Sequence, residues 1–243
     1  MPRKRHSLLG GPKSSAVNDL TLYSYCLRYD DGAAPNPYWH VCTLAICKPA
    51  IRRVAKKGDW VVGIGSKNSP VGDISHKVVY AMEVTRVMTM KEYDAWCRRS
   101  LRCKIPHWQS TDFRRKMGDC IYDFTHRGLP GLRSSIHSEA NRETDLGGLN
   151  VLLSRNFYYF GNRPVPLPRS LWPIAHATQG HKSHAIERFT FGFVEWLKRQ
   201  GWKRNTLFGE PQLKNRILST AEDDRRRARS RQDRRESERD VIC

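Results

Sequence analysis

Short apolar runs separated by turn-forming residues dominate the first 90 residues of the chain, a pattern typical of β-structure. Apolar and aromatic residues predict strands over residues 23–29, 41–47 and 60–64. A longer run over residues 77–88 is rich in β-branched and aromatic side chains, as in a strand that closes a small barrel. The intervening stretches contain Gly, Pro, Asn and Asp, which form the turns that end strands.

Helical periodicity is confined to two segments of the remaining chain. Thr89 is a suitable N-cap for a short helix over residues 89–99. Residues 184–200 have the clearest helical pattern, with Gly201 as a C-cap and five apolar residues on one face: Ile186, Phe189, Phe193, Val194 and Leu197. Residues 151–160 return to a strand-like composition. Together these elements predict an α+β fold.

The same pattern divides the chain into three regions. Residues 1–18 are basic and rich in Gly, Ser and Pro, so we expect a flexible basic arm. Residues 19–218 contain the predicted strands and helices and are expected to form a single α+β domain that can bury a core. Residues 219–243 form a charged, Arg-rich tail without an apolar stripe, which could meet a protein partner.

Composition argues against membrane proteins and disulfide scaffolds. No run approaches the roughly 20 consecutive apolar residues that a membrane-spanning helix needs, so we expect a cytoplasmic protein that does not bind a membrane. The seven cysteines are scattered and none forms a C-x-x-C pair, so neither disulfides nor zinc fingers are predicted. Cys42 and Cys47 could ligate a metal, but buried structural cysteine is the simpler explanation, and no metal or cofactor is predicted.

Charge changes this picture, because a net charge of +19 and a pI near 10 are typical of proteins that bind polyanions. The tail contributes little of this charge, since its eight arginines lie among seven acidic residues. Most of the positive charge therefore belongs to the predicted domain, which favours DNA, RNA or a nucleotide as the partner. Simple solubility is the alternative explanation.

Six separated motifs occur within the predicted domain. They are DGxAPNP at residues 31–37, TLAxCKPxIRR at 43–53, KxGDWVVGxGS at 56–66, MGDxIY at 117–122, FYYFG at 157–161 and GHKS at 180–183. In this order, over roughly residues 22–200, they resemble the nucleotide modification associated domain 2 family. The resemblance implies a role in phage or bacterial systems that make, remove or recognise modified nucleotides, including DNA modification and defence. It implies no particular reaction.

A second resemblance concerns the fold. The turn at residues 57–60 and the strand over residues 78–87 are similar to the barrel of the PUA-like superfamily, whose members bind RNA or modified bases. This resemblance implies a small PUA-like β-barrel with additional helices within the α+β class. It is an analogy of fold, which does not by itself assign a function.

Recognition of a nucleotide requires flat rings for stacking, polar groups for the edge of the base, and cations for the phosphate. Trp39, Trp60 and Tyr158 are the predicted stacking residues, and packing in the core is the alternative role of each. Asn36 is the predicted polar group, with formation of an Asx-turn as its alternative role.

Three basic side chains beside these rings are predicted to contact phosphates: Lys48, Arg52 and Arg53. Ordinary solvation of a basic surface is the alternative. Ser66 follows a glycine where backbone amides could approach a phosphate, although a plain hairpin loop explains it almost as well. Lys182 and Ser183 precede the strongest predicted helix, whose N-terminus would attract a phosphate, and Ser183 could also cap that helix.

Acid/base chemistry has four predicted carriers in the second half of the chain: Asp119, His137, Asp145 and His181. His137 and Asp145 are eight residues apart in an irregular region, so the sequence does not establish that they meet. A structural or surface role is the alternative for each residue.

Three hypotheses remain at this point. The leading hypothesis is a domain that binds a nucleotide or a flipped base in an aromatic, basic cleft. The second is an enzyme that acts on the base or on the glycosidic bond, with His137, Asp119 or His181 as the acid or base. The third is an adaptor subunit that uses the Arg-rich tail.

Overall fold

The computed structural model describes residues 20–175 and 181–218 of the chain. The predicted basic arm over residues 1–18 and the predicted tail over residues 219–243 lie outside the described residues. The described strands are β1 (Leu22–Leu27), β2 (Cys42–Leu44), β3 (Trp60–Gly65), β4 (Lys77–Glu83), β5 (Arg86–Thr89), β6 (Tyr122–Asp123), β7 (Gly131–Leu132), β8 (Asn150–Ser154), β9 (Phe157–Tyr159), β10 (Val165–Pro166), β11 (His181–Lys182) and β12 (Thr206–Leu207).

The α-helices of the described residues are short. They are α1 (Pro49–Val54), α2 (Met90–Ser100), α3 (Phe113–Lys116), α4 (Arg142–Leu146) and α5 (Thr190–Arg199), and the described residues 214–218 are α-helical as well. Single 3-10 turns or short 3-10 helices cover Arg102–Lys104, Glu139–Asn141, Arg169–Ile174 and His184–Phe189. Each helix in the described ranges is too short or too polar to cross a lipid bilayer.

The larger sheet is mixed and has seven strands in the order β11-β1-β3-β4-β9-β12, with β10 also paired to β4. β1 runs parallel to β3, with register from Leu22 opposite Trp60 to Leu27 opposite Gly65. The β3–β4 and β4–β9 pairs are antiparallel, and β12 is parallel to β9. β11 pairs antiparallel with β1 and places His181 opposite Tyr25.

A smaller antiparallel sheet has the order β2-β8-β5 and packs on one face of the larger sheet. Tyr25 of β1, Leu44 of β2 and Phe157 of β9 share the core between the two sheets. The outer face of the larger sheet is covered by α5, and the outer face of the smaller sheet by α2. The domain therefore has four layers, and β1 and β3 are buried along their whole length because both sheet faces are covered.

Two predicted long strands are each interrupted by a bend. The run predicted over residues 77–88 divides into β4 and β5, and the run predicted over residues 151–160 divides into β8 and β9. The first half of each run belongs to a different sheet from the second half. The backbone N–H of Thr85 donates to the carbonyl of Leu153 at 2.9 Å, and that of Glu83 to Asn156 at 2.9 Å. The single strands predicted there were wrong because each chain segment crosses between the sheets.

The predicted helix over residues 89–99 is confirmed as α2. Thr89 forms a capping box with Glu92, in which the Thr89 hydroxyl accepts from the Glu92 backbone and the Glu92 carboxylate accepts from the Thr89 backbone. The predicted helix over residues 184–200 instead begins as a 3-10 helix and becomes α-helical at Thr190. Ser183 makes no side-chain capping bond, whereas Gly201 follows the helix at φ 68°, as a glycine after a C-cap should.

The α+β class is confirmed, and the barrel is not. In the described strands, the larger sheet runs from β11 to β12 without pairing between those two edges, and the smaller sheet is open as well. The two sheets face each other as separate layers across a shared core instead of forming one closed strand ladder. The implied PUA-like barrel is therefore not found among these residues.

Candidate functional site

The turn between β2 and α1 has an unusual backbone. Cys47 (φ 58°) and Lys48 (φ 42°) both adopt the left-handed conformation, which residues other than glycine seldom occupy. Pro49 begins α1, and its ring disfavours the right-handed helical conformation at the residue before it. Such strain persists only where surrounding contacts hold it, and it concentrates at functional sites.

The surrounding contacts come from His137 and Asp145. The Nδ1 of His137 lies 2.6 Å from one carboxylate oxygen of Asp145, and its Nε2 lies 3.7 Å from the Sγ of Cys47. The imidazole therefore stands between a thiol and a carboxylate and uses a different ring nitrogen for each. This is the geometry of a nucleophile, a general base and a residue that orients the base.

Asp145 is buried on α4 and each of its carboxylate oxygens has a defined partner. One oxygen accepts a hydrogen bond from the backbone N–H of Cys47 at 2.8 Å. The other is shared by His137 and by the hydroxyl of Tyr122, which donates at 3.1 Å. A carboxylate held in this way fixes both the position of the imidazole and the conformation of the Cys47 turn.

The environment favours the charged form of His137. Burial by itself opposes protonation, but the hydrogen bonds to Asp145 and Cys47, with their charges, raise the pKa of His137 to about 10. An imidazolium beside a thiol stabilises the thiolate, which is the nucleophilic form of cysteine. The thiol belongs to a residue that is only partly buried, so a small molecule can reach it.

Arg52 stabilises the turn from beneath and is fully buried. Its guanidinium donates to the carbonyls of Ala45 at 2.6 Å, Asn150 at 2.9 Å and Cys47 at 3.3 Å, and also to that of Asp145. A side chain on Gly148 would collide with this guanidinium, so a larger residue there would displace Arg52 from its present partners. Burial lowers the pKa of Arg52 to about 10, although the charge of Asp145 opposes the shift. Arg52 thus donates hydrogen bonds to the backbone carbonyls of both Cys47 and Asp145 and holds these two residues close together.

A cavity of about 660 Å³ opens above the thiol, within the size range of small-molecule sites. Its wall includes both Cys47 and His137. Three cationic side chains also line it: Arg28, Lys48 and Arg216. Tyr29 is 47% exposed at the same cavity, and the guanidinium of Arg28 lies 5.1 Å from the centre of its ring. The site therefore combines a nucleophile, positive charge and an accessible ring.

The same three residues bear on metal binding, since one potential ligand atom from each of Cys47, His137 and Asp145 lies within 4.8 Å of the others. The 2.6 Å contact between Asp145 and Nδ1 is a direct hydrogen bond and leaves no room for an ion between those atoms. Only the Sγ and Nε2 could then face one ion, whereas a catalytic zinc site uses three protein ligands. The arrangement fits a hydrogen-bonded triad better than a metal centre.

Two predicted site residues, Asp119 and Asn36, lie apart from the cavity in a buried polar network. Lys104 donates to the carbonyl and side-chain oxygens of Asn36, at 2.9 and 2.6 Å, and also to Val41 and Thr43. The Asp119 carboxylate accepts from the hydroxyls of Thr43 at 2.5 Å and Tyr93 at 2.7 Å. Burial raises the pKa of Asp119, and the charge of Lys104 opposes this shift. These contacts occupy both side chains with internal partners.

The predicted stacking residues are not brought together. Trp60 and Tyr158 are buried in the core between the larger sheet and α5, where Trp202 packs edge-on against Tyr158. Trp39 adopts a left-handed conformation and lines a separate pocket of about 440 Å³ with Trp96, and the guanidinium of Arg114 lies 4.9 Å from its ring centre. No single aromatic cleft contains these rings within the described residues.

The remaining predicted phosphate contacts are dispersed. Lys48 lines the cavity, whereas Arg53 is exposed and donates to the carbonyl of Gly147 at 2.9 Å. The buried hydroxyl of Ser66 accepts from the backbone of Asn68 at 3.1 Å. His181 and Lys182 form β11, and Ser183 lies between this strand and the following 3-10 helix. The helix N-terminus predicted beside them is therefore replaced by a strand and a 3-10 turn.

Comparison with known proteins identifies the family of the chain. A family model described as nucleotide modification associated domain 2 matches residues 19–218. The chain belongs to this family. No curated protein and no solved structure is significantly similar to it. For this nucleotide modification associated domain, the family description supports a role in nucleotide modification but names no reaction. The reaction has to be inferred from the residues of the site.

The thiol, imidazole and carboxylate of this nucleotide modification associated domain all lie within the matched residues. His137 and Asp145 were predicted as separate acid/base candidates, and the structure brings them together. Cys47 was interpreted as a structural cysteine, so its place beside His137 was missed. The signal that could have found it is a cysteine directly before Lys-Pro at the start of a helix, in the same chain as a histidine and an aspartate.

Proposed function

We propose that this domain is a thiol-dependent enzyme of a nucleotide modification system, in which Cys47 attacks an acyl-type carbon carried by a nucleotide or nucleobase. The observation that carries the proposal is the position of His137, hydrogen-bonded to Asp145 through Nδ1 and 3.7 Å from the Cys47 thiol through Nε2. Cysteine, histidine and aspartate in this relation are typical of covalent acyl transfer on several unrelated folds.

The reaction is balanced by the residues of the triad. In the resting site the thiol proton resides on Nε2 of His137, so Cys47 attacks as a thiolate and forms a bond to the carbonyl carbon. The leaving amine or alcohol then takes that proton as its bond to the carbon breaks, which leaves a thioester on Cys47. Water, deprotonated by His137, attacks the thioester and releases a carboxylic acid and the thiol. An amine or alcohol acceptor in place of water would give transfer instead of hydrolysis.

Asp145 and Arg52 have supporting roles in this scheme. Asp145 accepts a hydrogen bond from the proton on Nδ1 of His137, so that Nε2 faces the thiol, and its charge stabilises the imidazolium. Arg52 contacts the carbonyls of Cys47 and Asp145 and is buried, so it acts as a positioning residue and does not reach the substrate. Such preorganisation spares the reaction the cost of aligning its groups.

Three observations support a nucleotide or nucleic acid as the carrier of the reacting carbon. The family description concerns nucleotide modification. The cavity is large enough for a nucleotide and is lined by three cationic side chains. The exposed side of Tyr29 offers a ring against which a base could stack. Exposed basic residues outside the cavity, including Arg53 and Lys57, would add contacts to the backbone of DNA or RNA.

The proposal is tested by comparing the protein with its Cys47→Ser variant. Both are incubated with nucleotides and nucleic acids whose bases carry amide, ester or glycyl-type substituents, and nucleosides are analysed by mass spectrometry. We expect a product only with the unaltered protein, together with a covalent mass on Cys47 that hydroxylamine removes, as it does from a thioester. Modified substrates that bind without turnover or adduct would instead favour a recognition domain and would overturn the enzymatic proposal.

A further inference from the structure

Lys48 differs from Lys104, a fully buried lysine of the domain, in what surrounds its ammonium group. The three ammonium hydrogens of Lys104 are shared among four oxygen atoms of Asn36, Val41 and Thr43 at 2.6–2.9 Å. Lys48 is partly buried at the cavity, and its Nζ lies 4.4 Å from the centre of the Tyr25 ring. Among the described residues, no oxygen atom accepts a hydrogen bond from this group. The fold therefore satisfies Lys104 internally and presents Lys48 to the cavity.

The surroundings of Lys48 are those of an anion site. An ammonium over a ring face is held in position but keeps its hydrogen-bond donors available. Arg28 lines the same cavity and uses its Nε for the carbonyl of Asn68 at 3.2 Å. Arg216, from the C-terminal part of the described chain, also lines the cavity. Three cations from separate parts of the sequence thus converge on one space of about 660 Å³ beside the thiol.

The carboxyl group in this wall does not cancel the positive charge. Asp31 lines the cavity, and one of its oxygens accepts the backbone N–H of Ala33 at 2.9 Å. Burial raises the pKa of Asp31, while the hydrogen bond from Ala33 and the charge of His137 oppose that shift. Arg28, Lys48, Arg216 and the charged His137 line the cavity together with this one carboxyl group, so the wall carries net positive charge and favours an anionic ligand.

We infer that Lys48, together with Arg28 and Arg216, binds a phosphate group of the molecule that enters the cavity, whether that phosphate belongs to a free nucleotide or to a nucleic-acid strand. The inference deepens the proposed function by naming the ligand chemistry, but it rests on the charge and geometry of the cavity and not on turnover. Lys48 directly follows the nucleophile in the sequence, so the phosphate and the reacting carbon would be held at adjacent residues.

Alkylation of Cys47 by a charged and a neutral reagent tests this inference. Iodoacetate is an anion and iodoacetamide is its neutral counterpart, and site-resolved mass spectrometry gives the rate of each at Cys47. The ratio of the two rates cancels any change in the amount of thiolate. We expect Lys48→Met to lower the iodoacetate to iodoacetamide ratio by about tenfold, the order expected for loss of one charge a few ångströms from the reagent. Lys48→Arg should restore most of the ratio.

Lys91→Met is the matched control, because Lys91 is an exposed lysine on α2 and does not line the cavity. Its ratio should equal that of the unaltered protein. An unchanged ratio in Lys48→Met would overturn the assignment of Lys48. A ratio that falls equally in Lys91→Met would overturn it as well, because the effect would then be one of overall charge.

Binding measurements separate this inference from the proposed enzymatic function. Titration calorimetry with dAMP, deoxyadenosine, and a short oligonucleotide with or without a 5′-phosphate is carried out on the Cys47→Ser variant, which cannot turn over by the proposed route. We expect dAMP to bind at least about tenfold more tightly than deoxyadenosine, and Lys48→Met in this background to remove that difference. Equal binding of dAMP and deoxyadenosine, together with oligonucleotide binding that Lys48→Met leaves unchanged, would overturn the phosphate site even if the enzyme proved active. Phosphate-dependent binding without any turnover would retain the site and reject the enzymatic proposal.

The two nucleic-acid arms identify the source of the phosphate. A preference for the 5′-phosphorylated oligonucleotide over its unphosphorylated form would support a strand end as a ligand. Equal binding of both oligonucleotides, tighter than that of dAMP and weakened by Lys48→Met, would support internal phosphates. Binding of dAMP alone would support a free nucleotide. Oligonucleotide binding that is unaffected by Lys48→Met, in the absence of phosphate-dependent dAMP binding, would contradict the inference.

Discussion

Asp145 accepts a hydrogen bond from the backbone N–H of Cys47 at 2.8 Å with the carboxylate oxygen that does not contact His137. The residue that orients the imidazole therefore also stabilises the left-handed turn that carries the thiol. Removing the negative charge of Asp145 should consequently affect both the reactivity of Cys47 and the conformation around it.

Asp145→Asn should slow the alkylation of Cys47 by iodoacetamide at pH 6 by about tenfold or more, since one pKa unit corresponds to a factor of ten. The physical reason is that the charge of Asp145 helps to raise the pKa of His137 and thereby favours the imidazolium that stabilises a thiolate. The rate is measured by mass spectrometry of the labelled peptide. Tyr122→Phe removes only the hydroxyl bonded to Asp145 and should have a much smaller effect. Equal rates in the unaltered protein and in Asp145→Asn would contradict the triad.

The protonation of His137 should also appear in stability. The pKa of His137 is raised from 6.5 to about 10 in the folded protein, so folding binds a proton between these values. Its contribution to the free energy of unfolding is therefore complete below pH 6.5 and declines as the pH rises towards 10. The difference in free energy of unfolding between the protein and His137→Gln should shrink over that range in urea titrations. A difference in the free energy of unfolding that grows with pH would show that folding does not raise the pKa of His137.

Arg52→Met should lower the free energy of unfolding by about 3 kcal/mol or more, because four backbone carbonyls lose a buried, charged donor. Arg53→Met is the matched control on the next residue, which is exposed and makes one backbone contact, and should change stability by less than about 1 kcal/mol. Urea unfolding followed by tryptophan fluorescence measures both. Similar stability of the two variants would refute the structural role of the Arg52 hydrogen bonds and would favour the phosphate-binding role that the sequence predicted for Arg52.

Asp119→Asn should separate the buried network from the triad. Its carboxylate accepts from Thr43 and Tyr93 and lies near the charge of Lys104, so the substitution should lower the free energy of unfolding by about 1–3 kcal/mol. Alkylation of Cys47 in the folded variant should stay within about twofold of the original rate, because Asp119 does not line the cavity. A rate as low as that of Asp145→Asn, in a variant shown to be folded, would give Asp119 a role in the chemistry.

Removal of metal ions should leave the reactivity of Cys47 unchanged. The direct bond between Asp145 and Nδ1 of His137 leaves too few ligands for a catalytic ion in this cluster. Iodoacetamide labelling before and after extensive dialysis against a chelator measures the effect, and elemental analysis of the purified protein measures bound metal. One equivalent of zinc that disappears in Cys47→Ser would refute the triad and establish a metal site.

Local sequence features predicted the elements whose conformation depends on near neighbours. The capping box of Thr89 and Glu92 and the apolar runs of β1 and β3 are of this kind, because hydrogen bonds and burial patterns within a few residues determine them. The bends at Thr85 and Asn156 were missed, because an apolar run looks the same whether it continues in one sheet or crosses to the next.

By itself the sequence determined the family, the α+β class and the presence of histidine and aspartate as acid/base candidates, since these depend on motif order and composition. Only the tertiary structure decided that Cys47 meets His137, 90 residues further along the chain, and that Arg52 lies beneath them instead of facing a phosphate. The physical reason is that the burial of a side chain and its hydrogen-bond partners depend on how segments that are distant in the sequence pack against each other. No local pattern distinguishes a buried arginine from an exposed basic residue, and the Cys-Lys-Pro sequence makes Cys47 a candidate nucleophile without showing which histidine lies beside it.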